Sequence, residues 1–301
     1  MSINKIILGD NLEILRTVED ESVDLIYLDP PFFSNQNYEV IWGDEGEIRS
    51  FQDRWAGGIE HYIAWLKERV YEMYRVLKKT GSFYLHCDWH ASSYIQVEIL
   101  DRIFGRRNCR NEIIWYYRRW TAGKTFQRMH DTIFFYTKTK SFLFNKTFIE
   151  PTEGQKAKHE KGWDRNSVII DGKRQAQLLV YDQKKVNIAV KEGRINLSDY
   201  AKVHKLGDTC TTASDVWEIN YLNSQSKERI GYPTQKPEAL LERIIKASSN
   251  PGDIVLDPFV GGGTTVAVAD KLGRNWIGID QSVQAVKVTE LRLQKQQDLL
   301  S

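Results

Sequence analysis

Cysteine is scarce in this sequence, which has only Cys87, Cys109 and Cys210 among 301 residues. Their wide spacing excludes a disulfide framework and any Cys-x-x-Cys metal site, and it fits a reducing cytoplasm. No apolar run approaches the ~20 residues that a membrane-spanning helix needs, and residues 1–5 open no secretory segment. We therefore expect a cytoplasmic protein that does not contact a membrane.

An excess of charge of either sign is also missing. The sequence has 42 Lys and Arg residues against 40 Asp and Glu residues, a net formal charge of +2. This balance neither requires nor excludes a nucleic acid partner, so the positions of the basic residues matter more than their number. A chain of this length can bury a large core, either as one domain with an insertion or as two domains.

The tetrapeptide Asp29-Pro30-Pro31-Phe32 follows an apolar run at residues 23–28, which predicts a buried strand. In an open parallel sheet, ligands bind beyond the carboxyl ends of the strands, where this tetrapeptide lies. Two prolines make a stiff loop without N–H donors, which leaves its carbonyl oxygens as acceptors. A carboxylate, a proline carbonyl and an aromatic face suit a planar ring with an exocyclic amine, such as adenine or cytosine.

A second candidate site begins where a predicted strand at 253–256 ends. The loop that follows reads Asp257-Pro258-Phe259-Val260-Gly261-Gly262-Gly263-Thr264-Thr265. It leads into a predicted helix at 266–272 and a strand at 275–279 that ends at Asp280. Glycines let the backbone approach a ligand, and a strand-terminal carboxylate accepts hydrogen bonds from ribose hydroxyls. A nicotinamide enzyme is the alternative, although the loop has neither the Gly-x-Gly-x-x-Gly spacing nor the Gly-Lys-Ser/Thr of a phosphate loop.

Strands that alternate with helices predict a mostly parallel sheet with helices on both of its faces. Further strand-length apolar runs occur at residues 5–8, 82–86 and 112–116, and helical spacing occurs over 59–79 and 91–104. Between about 118 and 232 the periodicity weakens, and short β-like runs occur at 131–137, 167–170, 178–181 and 186–189. This region is interpreted as an inserted, partly β substructure.

Basic and aromatic residues alternate where this region begins. The run is Trp115-Tyr116-Tyr117-Arg118-Arg119-Trp120, with Lys124 and Arg128 after it. The mixture suits phosphate neutralisation and base stacking, and the alternative is a solvated basic face beside buried aromatic residues. The run His86-Cys87-Asp88-Trp89-His90 contains metal-ligand residue types, but its spacing does not suit a tetrahedral site, and we expect no metal.

Asp29-Pro30-Pro31-Phe32 resembles the Asp-Pro-Pro-Phe motif of the DNA amino-methyltransferases, and residues 259–263 resemble the Phe-x-Gly-x-Gly motif of that family. Thr234-Gln235-Lys236-Pro237 resembles the segment before the second motif, and the order of the motifs is that of the β group. The resemblance implies an α/β fold with a permuted Rossmann-like, mostly parallel sheet. It implies a catalytic half at 1–117, a target-recognition insertion at 118–230 and an S-adenosylmethionine-binding half at 231–301.

The resemblance also implies roles for individual residues. The catalytic residues are Asp29, Pro30, Pro31 and Phe32. The cofactor-binding residues are Asp10, Asp29, Thr234, Lys236, Asp257, Phe259, Gly261, Gly263, Thr264 and Asp280. Among them, Lys236 contacts the methionine carboxylate, Asp280 binds the ribose, and Asp10 reads the adenine amine of the cofactor. The basic and aromatic run, and not the resemblance, gives Arg118, Arg119, Lys124 and Arg128 as DNA-binding residues. The resemblance adds His130 to them, and the pair His130-Asp131 either lines the base pocket or forms a turn.

The implied reaction is transfer of a methyl group from S-adenosylmethionine to an exocyclic amine of a base flipped out of double-stranded DNA. Asp at the first position and Phe at the fourth favour adenine N6. Cytosine N4 is the alternative, and a non-catalytic DNA-binding subunit of the same fold is another. The candidate protein partners are a cognate restriction endonuclease and a second copy of the chain. The host is a bacterium, an archaeon or a phage-infected cell. The apolar stripe of the helix from Ile59 either forms a dimer contact or packs into the core.

Overall fold

The computed structural model describes residues 3–33, 57–118, 124–149, 153–197, 202–205, 211–223 and 225–298. The chain divides into two compact units. The large unit contains Met1–Asn145 and Ser214–Ser301, and the small unit contains Lys146–Ala213. The predicted long loop at 34–58 falls almost wholly outside the described residues, as does Arg119.

An eight-stranded sheet forms the centre of the large unit. In spatial order its strands are β1 Lys5–Leu8, β13 Asn275–Asp280, β12 Ile254–Asp257, β2 Val23–Leu28, β3 Leu77–Cys87, β5 His130–Thr137, β4 Cys109–Tyr116 and β11 Val216–Glu218. Neighbouring strands run parallel, except that β5 is antiparallel to both β3 and β4. Two C-terminal strands thus lie between β1 and β2, and the predicted mostly parallel, permuted sheet is confirmed.

Strand β2 shows why the sheet is buried on both faces. Successive side chains of a strand point to opposite faces. Ile26 and Leu28 therefore pack into one core of the large unit. Leu25 and Tyr27 pack into a second core on the other face. A near-continuous apolar run is what a parallel strand covered on both sides requires. The run ends at Leu28, so the next residue, Asp29, lies just beyond the end of the strand.

The helices follow the strands in the alternation that the sequence predicts. In chain order they are α1 Asn11–Arg16, α2 Gly58–Val76, α3 (α-helical over Ser92–Tyr94, then π-helical over Ile95–Gly105), α4 Glu153–Lys161, α5 Gln183–Lys191, α6 Glu238–Ser248, α7 Thr264–Lys271 and α8 Val283–Asp298. The apolar stripe of α2, including Tyr62, Leu66, Val70 and Met73, is fully buried within the large unit. Its role is therefore core packing, and it is not an open face for a second copy of the chain.

The small unit has a three-stranded sheet with β7 Trp163–Ile170, β8 Lys173–Val180 and β9 Lys202–Lys205, and a short pair of strands, β6 Phe148–Ile149 and β10 Thr211–Thr212. Its own core joins the first sheet to α5. The prediction of a β-like run at 186–189 is wrong, because these residues lie in α5. The Asp182 carboxylate accepts hydrogen bonds from the N–H groups of Lys184 and Lys185, which caps the helix, and Val186 and Ala189 fall on its buried face.

The small unit is narrower than the predicted target-recognition insertion at 118–230. The runs at 130–137 and 216–218 within that range belong to the large sheet, as β5 and β11. The functional bounds of the insertion stay a prediction. In the part of the chain that the structure describes, no helix is both long and apolar enough to cross a membrane.

Candidate active site

Four carboxylates line one edge of the large sheet. Strands β1, β13, β12 and β2 are neighbours and parallel, so their carboxyl ends meet at the same edge. Asp10 follows β1, Asp280 ends β13, Asp257 ends β12, and Asp29 follows β2. Both predicted sites therefore lie at this edge, where ligands bind in open parallel sheets.

Asp29 meets a residue from the opposite end of the chain. Its Oδ2 atom accepts a hydrogen bond from Nζ of Lys236, and both side chains are largely buried. The Oδ1 atom of Asp29 is buried and has no hydrogen-bond partner among the described residues. An unpaired buried carboxylate oxygen costs free energy, typically about 1–3 kcal/mol, more for charged groups. Asp29 therefore presents one engaged oxygen and one open acceptor.

An aromatic face lies beside this acceptor. The ring centroid of Phe32 is 5.6 Å from that of His86, and Nζ of Lys236 is 5.4 Å from the Phe32 centroid. Phe32 is only partly buried. The structure thus brings Asp29, Phe32 and Lys236 together, as the sequence predicts, although Lys236 contacts Asp29 and its predicted contact with a cofactor carboxylate stays a prediction.

A fully buried histidine lies behind Asp29. His86 is the residue before the last of β3, and its Nδ1 atom is 3.0 Å from the Tyr27 hydroxyl and 3.7 Å from Oδ1 of Asp29. Burial, followed by the charges of Asp29, Asp257 and Asp131, raises the pKa of Tyr27 well above its usual value. The hydroxyl therefore keeps its proton, and it is hydrogen-bonded to Nδ1 of His86.

Asp131 is the hydrogen-bond acceptor for Nε2, the opposite ring nitrogen of His86. The distance from Nε2 of His86 to Oδ2 of Asp131 is 3.2 Å, and the Tyr117 hydroxyl donates to Oδ1 at 3.1 Å. Burial alone would raise the pKa of Asp131, but the hydrogen bond and charge of His86, the charge of Lys236 and the Tyr117 hydroxyl outweigh it and lower the pKa. Asp131 is thus a buried, ionised carboxylate that fixes the His86 ring.

Sequence reasoning missed three members of this network as site residues, Tyr27, His86 and Tyr117. It named the fourth, Asp131, only as part of a pair that either lines the base pocket or forms a turn. The usable signal was position, because His86 lies one residue before the end of β3 and Asp131 one residue after the start of the antiparallel β5 beside it, with Cys87 opposite Thr132. The predicted DNA-binding residue His130 is exposed, whereas Asp131 points into the network, as alternation along a strand requires.

The glycine-rich loop enters α7 through a left-handed residue. Gly263 precedes the helix with φ 71°, and a Cβ atom there would lie 2.4 Å from the Thr289 side chain. The Thr264 hydroxyl donates to the backbone oxygen of Lys236 at 3.1 Å and accepts from Arg292 at 3.0 Å. The loop therefore packs closely against Thr289 at Gly263. Thr264 links the loop by a hydrogen bond to the segment that carries Lys236.

Two carboxylates accept hydrogen bonds from the backbone of this loop. Asp280 accepts from the N–H groups of Gly261 and Ser282, each at 2.9 Å. Asp257 is buried and accepts from the N–H of Phe259 at 3.0 Å. Burial, then repulsion from Asp29 and Asp280, raises the pKa of Asp257 to about 7, against hydrogen bonds that lower it. The loop backbone is thereby fixed by acceptors at the ends of β12 and β13.

Asp10 is fixed in the same way. It caps α1 by accepting from the N–H of Leu12 at 2.7 Å, and Arg69 donates to both of its oxygens, at 2.9 and 3.1 Å. Asn11 donates to the Pro258 carbonyl at 2.8 Å, which links β1 to the glycine-rich loop. We name Asp10, Asp257, Asp280 and residues 257–264 the glycine-loop half of the site. Asp29, Phe32, His86, Asp131 and Lys236 form the Asp29 half.

The remaining predicted residues lie outside these two halves or at their border. Thr234 is exposed, and the Phe259 ring packs 5.7 Å from Trp65. Among the predicted DNA-binding residues, Arg118 is exposed and 3.5 Å from Glu218, Lys124 is exposed, and Arg128 lies 3.8 Å over the Trp89 ring. Their DNA contacts stay predictions. Within the described ranges, no three His, Cys, Asp or Glu side chains cluster closely enough to hold a metal ion.

A family model for N6/N4 DNA methylases matches residues 23–291 of this chain. The chain is 32% identical over 291 residues to the DNA adenine methyltransferase YhdJ of Escherichia coli (strain K12), which covers 96% of this chain and 82% of that protein. It is 31% identical over 292 residues to the Type II methyltransferase M.HpaI of Haemophilus parainfluenzae, covering 96% of this chain and 74% of that protein.

Solved structures resemble the fold. The cytosine-N4-specific PvuII DNA methyltransferase matches with a TM-score of 0.58 and 16% identity, covering 99% of this chain and 92% of that one. A DNA modification methylase of Thermus thermophilus, TTHA0409, complexed with S-adenosyl-L-methionine, matches with a TM-score of 0.55 and 18% identity, covering 97% and 93%. At these identities the likeness concerns the fold, and it agrees with the sheet predicted from the sequence.

Proposed function

Since this chain belongs to the N6/N4 DNA methylase family, we propose that it transfers a methyl group from S-adenosylmethionine to N6 of adenine in duplex DNA, after the adenine has been flipped out of the helix. A base within the duplex is inaccessible to a buried carboxylate, so extrusion is the route by which an enzyme reaches it. The enzyme class and the methyl-transfer reaction are those of the family. The choice of adenine, the flipping and the residue roles belong to the proposal.

One observation carries the proposal, the open Oδ1 atom of Asp29. It is buried, it has no hydrogen-bond partner among the described residues, and it lies beside the Phe32 ring. A ring with an exocyclic amine supplies both things that this site lacks, a donor for the oxygen and a flat surface for the aromatic face. Adenine N6 carries two N–H donors, and the Pro30 carbonyl is a second acceptor in the same loop.

The glycine-loop half fits the donor of the methyl group. Gly261 and Gly263 have positive φ, and a Cβ at position 263 would collide with Thr289, so the loop requires glycine to keep its backbone in this conformation. Asp280 and Asp10 have further lone pairs for the hydroxyls and amine of a nucleoside, and Lys236 has a cation for a carboxylate. When bound, S-adenosylmethionine supplies an electrophilic methyl group on a sulfonium.

The residues of the Asp29 half act on the amine. Its lone pair is delocalised into the ring, which makes it a weak nucleophile. Hydrogen bonds from the amine to Asp29 and to the Pro30 carbonyl favour a pyramidal nitrogen whose lone pair faces the methyl carbon. As the new N–C bond forms and the C–S bond breaks, the nitrogen becomes acidic, and Asp29 accepts the proton that it loses.

The buried network is a positioning device in this scheme. Tyr27, His86 and Asp131 form a chain of hydrogen bonds directly behind Asp29 and Phe32. Because His86 is fully buried and fixed at both ring nitrogens, it supports the Phe32 ring without competing for the open oxygen of Asp29. A rigid supporting shell of this kind keeps a reacting group in its productive geometry.

Adenine is favoured over cytosine by two features. Asp and Phe stand at the first and fourth positions of the tetrapeptide, and the relative from Escherichia coli is named a DNA adenine methyltransferase. The test is to incubate the protein with duplex DNA and methyl-labelled S-adenosylmethionine, digest the DNA to nucleosides and separate them. Label in N6-methyladenine is the expected result. Label in N4-methylcytosine contradicts the choice of base, and no label in DNA contradicts the proposed function.

A further inference from the structure

Strands β7 and β8 of the small unit form a hairpin with a tight two-residue turn. Its two loop residues, Asp171 and Gly172, both have positive φ, 49° and 75°. Positive φ at both positions is the geometry of a type I′ turn, whose twist matches that of the strands. Strand β9 pairs only with residues 177–180 of β8. Within the described ranges, the distal part of the hairpin is therefore a two-stranded ribbon without a third strand.

One face of this ribbon changes character along its length. At the base, Trp163, Leu178 and Val180 lie on this face and form the core of the small unit. Toward the tip, the same face carries Ser167 opposite Ala176 and Ile169 opposite Arg174, and all four are exposed. Ile169 is 73% exposed. An apolar β-branched side chain and an arginine therefore lie opposite each other on an exposed face of the ribbon.

The arginine at the tip is free to bind that partner. Arg174 makes no hydrogen bond or ion pair with any described residue. Arg165 on the same face differs, because its guanidinium donates to the Arg194 carbonyl at 3.0 Å and lies 5.2 Å from the Trp163 ring. Arg165 therefore supports the fold, whereas the planar donor fork of Arg174 is available.

The charge of the small unit identifies the kind of partner. Residues 146–213 contain 13 Lys and Arg against 9 Asp and Glu, a net charge of +4. The rest of the chain contains 29 against 31, a net charge of −2. The positive charge of this protein is thus concentrated in the unit that carries the ribbon, as contact with a polyanion requires.

We propose that the distal face of the β7–β8 ribbon, formed by Ser167, Ile169, Arg174 and Ala176, reads bases in the major groove of the DNA substrate. This groove admits a two-stranded β-ribbon. The Arg174 fork matches the two acceptors of guanine, Ile169 suits a thymine methyl group, and Ala176 leaves room for close approach. The inference rests on the proposed function, because it takes duplex DNA as the substrate, and it names where that substrate's sequence is read.

The test selects binding sites without relying on methylation. A pool of randomised duplexes is passed over the full-length protein, and the bound fraction is sequenced for wild type, Arg174→Ala, Arg174→Lys and Lys191→Ala. Lys191 is an exposed cation of the same unit that lies on α5, away from the ribbon. We expect wild type and Lys191→Ala to enrich the same motif. Both Arg174 variants lose preference at one guanine of it by about tenfold or more.

Arg174→Lys separates base reading from charge, because it keeps the cation and loses the fork. An unchanged motif in both Arg174 variants, a uniform loss of affinity for all sequences, or the absence of any motif in wild type would each overturn the inference. S-adenosylmethionine binding and the thermal midpoint, measured on the same samples, show that the variants fold. Transfer of labelled methyl to DNA is assayed separately. If the Arg174 variants shift the motif but wild type transfers no methyl group to DNA, the proposed function is wrong and the ribbon inference stands. If wild type transfers methyl groups but the Arg174 variants leave the motif unchanged, the ribbon inference is wrong and the proposed function stands.

Discussion

The two halves of the strand-end site treat their carboxylates differently. In the glycine-loop half, Asp10, Asp257 and Asp280 each accept a backbone N–H of the protein, from Leu12, Phe259 and Gly261 respectively. In the Asp29 half, one oxygen of Asp29 is paired with Lys236 and the other, although buried, has no partner among the described residues.

This difference indicates that the two halves of the site bind their ligands in different ways. A site whose acceptors are already bonded to its own loop is built before any ligand arrives, which lowers the entropy cost of binding. A buried acceptor without a partner is instead a local cost that a ligand removes by donating to it. We infer that the glycine-loop half is preformed, and under the proposed function the Asp29 half is completed by the substrate amine. The predictions below break one half at a time.

The largest effect is expected for Gly263→Ala, which breaks the glycine-loop half. The new Cβ combines a strained positive φ with a 2.4 Å contact to Thr289, so we expect the free energy of unfolding to fall by about 4 kcal/mol. We also expect the affinity for S-adenosylmethionine to fall more than about a hundredfold. This corresponds to about 3 kcal/mol of binding free energy, because 1.4 kcal/mol is a factor of about ten in affinity. Urea denaturation and titration calorimetry measure the two quantities.

Gly252→Ala is the matched control for this variant. Gly252 also has a positive φ, 88°, but a Cβ there meets no atom within 4 Å. It should cost only the backbone strain, about 1 kcal/mol, and leave cofactor binding intact. Equal effects of the two substitutions would show that the packing of the loop against Thr289 does not matter.

A smaller effect is expected for Asp257→Asn, also in the glycine-loop half. The pKa of this buried carboxyl is about 7 in the folded protein and close to 4 in the unfolded chain. Between pH 4 and 7 the folded protein binds more protons than the unfolded chain, so this group makes the free energy of unfolding fall as the pH rises through that window. Above pH 7 its contribution is constant.

The asparagine has no charge to bury and removes this slope. Relative to wild type, the variant should therefore gain stability from pH 4 to pH 7, by roughly 3–4 kcal/mol as an upper bound. Urea denaturation at a series of pH values measures the difference. A difference between variant and wild type that does not change with pH would mean that the folded protein does not raise the pKa of Asp257.

The smallest effect is expected in the Asp29 half, for substitutions of His86. Asn at this position can keep the acceptor for Tyr27, and Gln can keep the donor for Asp131. Losing the donor leaves Oδ2 of the charged Asp131 without its hydrogen bond, and this costs more than losing the acceptor for Tyr27. We expect His86→Asn to lower kcat about tenfold to a hundredfold and His86→Gln to lower it less, both without a change in affinity for S-adenosylmethionine. If both variants lose affinity for S-adenosylmethionine by the same factor as they lose kcat, His86 has a general structural role.

Much of the fold and part of the site could be predicted from the sequence, for physical reasons. A buried apolar run that stops at Asp29 and another that stops at Asp257 fix two strand ends, and ligand sites in parallel sheets lie there. The His86–Asp131 contact could not be predicted in the same way. It joins residues 45 positions apart through the antiparallel pairing of β5 with β3, which no local pattern specifies.

A local pattern also gives a wrong prediction at residues 186–189. Their β-branched side chains predict a strand, but they lie in helix α5, whose N-terminus is capped by Asp182. Likewise, the sequence indicates that Lys236 lies near the cofactor site, but not that its ammonium pairs with Asp29. Such contacts depend on how distant segments pack, and they decide which oxygen of Asp29 is left open.

The most direct test of the account is single-turnover methyl transfer at saturating S-adenosylmethionine, comparing wild type with Asp29→Asn on the same duplex. Asparagine keeps the shape of the side chain but loses the charge that accepts the amine proton. The account predicts that the transfer rate falls about a hundredfold to a thousandfold, as when an enzyme loses one group that stabilises its transition state. A rate within a few fold of wild type would contradict it.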